Sequence, residues 1–143
     1  MAQRPDYYEI EHTADVGFEL TAPDLKSAFE CAAAAMFDLI CDLDTVGSTV
    51  RRTVRADARE GDLEALMVRW LSELLFVFEG EGLLLSMFEV RGLADGLVEG
   101  EVVGEPLDRE RHSLKVDLKA ATYHELAVEQ RDDGWIVRVI FDT

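Results

Sequence analysis

Hydrophobic and polar positions switch between two periods along the chain, and the switches divide it into elements. From Tyr8 to His12 the residues alternate, with Tyr8, Ile10 and His12 against Glu9 and Glu11, and alternation resumes from Val16 to Leu20. A two-residue period is that of a half-buried strand, so these runs predict an opening hairpin. Thr13-Ala14-Asp15 lies between them, and its short polar side chains can bond their own backbone in a turn, leaving Asp15 on a loop at a strand end. Gly17 leaves room for another backbone or a ligand to approach.

A period of three to four residues follows. Leu25, Ala28, Phe29, Ala32, Met36, Leu39 and Ile40 form one apolar stripe behind Asp24, a residue suited to cap the free amides of a first helical turn. Asp42 to Gly47 is read as a polar turn, since its Asp-x-Asp lacks the later acidic positions of an EF-hand. Ser48 to Asp57 alternates again, with Val50, Val54 and Ala56 inward and Arg51, Thr53 and Arg55 on a wet face. Asp62 is placed to cap a second helix whose stripe runs from Leu63 through Trp70 to Phe78, with Gly80 and Gly82 as its stop. Five more strands are expected at Leu83 to Val90, Leu97 to Val103, Leu114 to Ala121, Tyr123 to Glu129 and Trp135 to Phe141, the last two joined through an Asp133-Gly134 turn signal. Strands joined by short turns pair antiparallel. The expected architecture is therefore α+β: a single compact domain over residues 1–143, with an antiparallel-rich sheet of about seven strands and two long amphipathic helices packed on it.

Composition narrows the function. The chain has 143 residues, enough for one sizeable core, and no apolar run long enough to span a bilayer or to serve as a secretory signal, so it reads as cytoplasmic with no membrane partner. Cys31 and Cys41 stand ten residues apart on one expected helix, about 15 Å along its axis, beyond the reach of a disulfide. They read as core residues of a reducing compartment. Thirty acidic against fourteen basic residues give a net charge of −16. Such a surface recovers little counterion entropy from a phosphate backbone, so direct high-affinity nucleic-acid binding is not expected; cations or a basic protein surface are the fitting partners.

No phosphate loop, metalloprotease helix, nucleophile elbow or Cys-x-x-Cys is present. His12, His112 and His124 lie far apart in sequence. The stronger candidate joins the two ends of the chain. The last strand stops at Asp142-Thr143, and if the first and last strands are neighbours, Asp15 meets them. Three oxygen donors without sulfur or imidazole make a hard site suited to a divalent cation, Ca²⁺ first, with Mg²⁺ or Mn²⁺ as alternatives. Solvated acids are the plain reading of the same residues, as a solvated strand lysine is of Lys119.

Four segments resemble the archease family in order and spacing: Glu11 to Phe18 (EHTADVGF), Ala28 to Asp38 (AFECAAAAMFD), Asp62 to Phe76 (DLEALMVRWLSELLF), and Lys119 to His124 (KAATYH) followed by Phe141-Asp142. The resemblance implies a compact α+β fold and a non-enzymatic role: an accessory protein that activates a GTP-dependent tRNA-splicing RNA ligase, promoting guanylylation of the ligase's active-site histidine and repeated turnover. It further implies metal ligation by Asp15, Asp142 and Thr143, with Lys119 matching a lysine important for activating the partner. The chain departs from the family at Thr143, where an aliphatic residue is common; a main-chain donor would survive that change. Two other readings remain open: a chaperone-like modulator of an RNA-modifying enzyme such as a tRNA methyltransferase, and a small metal-dependent hydrolase using His12 or His124 as base.

Overall fold

Two capped helices set the frame of the molecule. The computed structural model describes residues 6–11 and 15–143. The Asp24 side chain accepts from the Ser27 amide at 2.7 Å and starts helix α1, Leu25–Ile40. Asp62 accepts from the Ala65 amide at 2.9 Å and starts α2, Leu63–Glu81. Gly82 ends α2 in the left-handed conformation, φ 67°, with its N–H on the Phe78 carbonyl, while Gly80 lies inside the helix and does not stop it. Only the glycine beyond the last turn needs the left-handed region that favours this residue. The Cys41 N–H closes α1 on the Phe37 carbonyl.

Every residue of α1 from Ala32 to Ile40 is buried, which a helix packed on one sheet alone would not show. Its neighbours explain this. Among the described residues eight strands form two antiparallel sheets, and α1 contacts strands of both. The first sheet holds β1 (Tyr8–Glu11), β2 (Asp15–Ala22), β6 (Ala120–Ala121), β7 (Ala127–Arg131) and β8 (Gly134–Asp142), in the order β1-β2-β8-β6 with β7 also on β8. The second holds β3 (Val50–Asp57), β4 (Leu83–Ala94) and β5 (Leu97–Pro106), in the order β3-β5-β4. The expected α+β class with about seven strands stands, with the strands divided between two sheets. One contiguous core joins them through α1 and α2; Trp70, fully buried, donates its indole N–H to the Phe29 carbonyl at 3.0 Å and ties the helices together.

Several expected boundaries move, for identifiable reasons. β4 runs to Ala94, past the expected Val90, because shifts of register at Ser86 and Arg91 break its alternation without ending the pairing. Leu114 to Ala121 is not a strand over its length. Leu114 bridges Cys41, Lys115 N–H bonds the Ile40 carbonyl and only Ala120–Ala121 pair with β8, so the chain is extended but changes partner along the way. Tyr123 to Leu126 turn, with Glu125 at φ 52°, and the strand expected from Tyr123 begins at Ala127. In β1, Tyr8 is 80% exposed on the face turned from the helices; the half-buried tyrosine is Tyr7, edge-on to Phe18 with its hydroxyl 3.0 Å from Asp38. His12 and the Thr13-Ala14 portion of the expected turn lie outside the described residues.

Candidate functional site

The sheet register brings the two ends of the chain together. β2 and β8 pair antiparallel from Ala22↔Trp135 to Asp15↔Asp142, so the two aspartates are direct cross-strand partners at one end of the ladder. Val16, Phe18 and Leu20 are buried, as are their partners Phe141, Val139 and Val137. With a period of two, Asp15 and Asp142 therefore project from the opposite, outer face of the sheet and on the same side as each other. Asp15 opens β2 and is half-buried, not carried on a loop; Asp142 closes β8 and is exposed.

Gly17 permits this pairing. A Cβ there would stand 2.2 Å from the Val139 carbonyl oxygen and 2.9 Å from the Ile140 Cα, inside any tolerable contact. The close backbone approach that Gly17 allows is made by β8. Ile140, opposite Gly17 and 1% exposed, forms an apolar floor one step in from the acids. One step further, Arg138 is held by Glu19 at 3.0 Å and Glu125 at 3.0 Å, with its Nε buried and unpartnered. That guanidinium is committed to two glutamates and does not neutralise the aspartate pair. Among the described residues no ion pair or hydrogen bond occupies either aspartate side chain.

On the far side of β8, Ala120 is the cross-strand partner of Asp142, and the Lys119 N–H donates to the Asp142 carbonyl at 2.9 Å. Lys119, which is exposed, therefore sits at the same sheet end as Asp15 and Asp142, next to the buried anchor Leu118. Thr143 follows Asp142 directly and is exposed. All four residues singled out from the sequence share one corner of the molecule. Among the described residues no group of three His, Cys, Asp or Glu side chains gathers as a metal cluster; the corner brings together the side chains of Asp15 and Asp142, with Thr143 next in the chain. The donor chemistry suits a hard cation, because two carboxylates that are cross-strand partners share one face of the sheet.

His124 lies on an exposed turn with its Nε2 3.1 Å from Glu125 and its backbone N–H on Thr122 Oγ1. His112 is buried, and here the sequence reading missed a polar cluster. Its Nδ1 accepts from the Asp108 N–H at 3.0 Å, so its Nε2–H donates to Glu105 at 2.8 Å. Glu105 also receives the Gly47 N–H at 2.6 Å and both Arg111 amino groups at 2.8 and 2.6 Å. The Arg111 guanidinium, foremost, with the Gly47 amide and His112, holds the Glu105 carboxyl down at about 2. The nearest signal was an acid followed six and seven residues later by Arg and His, hidden because β5 runs on to Pro106 and carries Glu105 inward. This clip pins the start of the segment that ends at Lys119.

Comparison with known proteins identifies the fold and the family. Residues 7–143 match the Archease protein family (MTH1598/TM1083). The chain is 42% identical over 137 residues to the protein archease of Methanopyrus kandleri, covering 94% of this chain and 96% of that one. It is 35% identical over 136 residues to the protein archease of Pyrococcus furiosus, covering 92% and 94%. Among solved structures, Methanobacterium thermoautotrophicum protein 1598 superposes with a TM-score of 0.81 at 34% identity over 96% of this chain and 98% of its own. A Thermotoga maritima archease, described as a possible chaperone, shares the fold at a TM-score of 0.57 and 19% identity, covering 100% of this chain and 98% of its own. The chain belongs to the archease family.

Proposed function

We propose that this chain is a non-enzymatic accessory protein that activates a tRNA-splicing RNA ligase, acting through the corner built from Asp15, Asp142, Thr143 and Lys119. Family membership supports an accessory role. The observation that carries the finer reading is the Asp15↔Asp142 register pair, which sets two carboxylates side by side on one sheet face. Asp15 and Asp142, with a main-chain oxygen of Thr143, would hold a divalent cation, Ca²⁺ foremost and Mg²⁺ or Mn²⁺ as alternatives. When bound, such an ion supplies a Lewis-acidic centre for phosphate oxygens. The aspartates orient the corner, and the neighbouring Lys119 ammonium is free to meet a phosphate or a carboxylate of the partner. A ligase pocket that handles RNA ends and nucleotide is basic, and a protein of net charge −16 is steered to it.

Replacing Asp142 by Ala tests the reading, with guanylylation of the ligase histidine as readout. Stimulation is expected to fall at least about tenfold, the scale on which even outer partners of bound metals matter. Undiminished stimulation by a variant with unchanged Tm would contradict it. The description of the Thermotoga maritima protein as a possible chaperone favours a second reading, a chaperone-like modulator of an RNA-modifying enzyme such as a tRNA methyltransferase. That role predicts rescue of an aggregating client that is indifferent to Asp15 and Asp142.

A further inference from the structure

The free edge of the second sheet is a second place where chemistry is left unsatisfied. β3 pairs with β5 on one side and, among the described residues, with no strand on the other. The Ala58 N–H donates to Gly96, its opposite number one step past the Asp57↔Leu97 pair. Antiparallel partners alternate between exchanging both hydrogen bonds and exchanging none, so Ala56 and Val54 bond to β5 while Thr53 and Arg55 aim their N–H and C=O groups outward. The carbonyls of Arg51 and Asp57, in phase with these, are the ones reached by the Arg52 and Arg69 guanidiniums.

Beside this edge runs a groove of about 400 Å³ between β3 and α2, lined by Arg55, Ala56, Asp57, Arg69, Ser72 and Glu73. Its cations differ from most others in the molecule. Arg51, Arg52, Arg91, Arg111, Arg131 and Arg138 each pair with glutamate. Arg55 has no partner among the described residues, and Arg69 reaches only a backbone carbonyl. Two guanidiniums that no described carboxylate meets at ion-pair distance flank an open strand edge, beside Asp57 and Glu73 of the same groove and with Glu99 across the ladder from Arg55.

We propose that the β3 edge receives an extended peptide segment of a partner protein, added as a fourth strand, with one or two of its carboxylates on Arg55 and Arg69. The ladder groups of Thr53 and Arg55 supply main-chain pairing and the guanidiniums select the acidic side chains. A nucleic-acid strand fits less well, because it lacks the alternating N–H and C=O that the edge presents and its charge density meets the repulsion of a strongly acidic chain. The site lies on the other sheet from Asp15 and Asp142, so it stands independently of the ligase reading.

Backbone amide NMR titration of the whole protein with a capped peptide of about seven residues, alternating Val and Glu, tests the proposal. Saturable shifts are expected at Thr53, Arg55 and Asp57, weakened roughly tenfold by Arg55→Glu with Arg69→Glu and by a peptide with Lys in place of Glu. Thr53→Pro removes an outward N–H that β5 does not use, and is expected to abolish the shifts while the rest of the spectrum is kept. Absence of shifts at millimolar peptide, equal shifts with the lysine peptide, self-association through this edge without peptide, or selective shifts there from a short single-stranded oligonucleotide would each overturn it.

Discussion

Asp15 and Asp142 are 127 positions apart in sequence and adjacent in space because β2 and β8 close the first sheet in full register. Gly17 is the residue that register depends on most. Adding a methyl group forces the Val139 carbonyl or the whole strand to move, so Gly17→Ala is expected to cost about 1–3 kcal/mol, the usual range for overpacking, and to lower the thermal midpoint. Chemical-shift changes should extend to the Asp142 amide; a variant as stable as the parent would show that the strands separate without cost. At this scale the sequence was partly legible. Asp15, Asp142 and Lys119 were identifiable as candidates, whereas Glu105 was not, because a glutamate near a turn gives no sign that the next segment will fold over it.

The helices were legible because their signals are local. Asp24 caps α1 by bonding the amide three residues on, and Asp24→Ala is expected to lower stability, readable as an earlier midpoint in denaturant titration. Strand lengths were less legible, since pairing depends on a neighbour that the segment itself does not name. Residues 114–121 alternate in character yet meet α1's end first and β8 only at Ala120. The Glu105 clip holds the beginning of that segment, and it has a definite pH signature. The Glu105 carboxyl is lowered from 4.5 to about 2, so its stabilisation is complete above about pH 4.5 and is lost as the pH falls toward 2. A shift of that size sets an upper bound of about 3 kcal/mol, reduced by solvent screening of the half-exposed Arg111. Glu105→Gln should therefore destabilise the protein at pH 7 and flatten its acid unfolding between those limits, measured as Tm against pH. An unchanged acid limb would remove Glu105 from the account.

At the scale of the whole molecule, the α+β class followed from the periods of the sequence, but the division into two sheets did not. Turn lengths say which strands are antiparallel and leave open where a sheet stops. Only the burial of α1 around most of its circumference reveals that strands of both sheets contact it. The charge of −16 was legible from the start and bears on association. Binding to a basic partner should weaken as salt rises, chiefly through slower association, measurable by stopped-flow mixing at several ionic strengths. No described helix is long and apolar enough to cross a membrane.

The central claim is that the paired aspartates act together at the partner's active site. The most direct measurement is ligase-histidine guanylylation stimulated by Asp15→Asn, Asp142→Asn and the double variant, with Lys26→Ala, at the start of α1 beyond the opposite end of the β2–β8 ladder, as a control. Each single change is expected to remove most of the stimulation and the double to add little, the signature of one shared site. Full stimulation by the double variant, with its fold intact, would contradict the account.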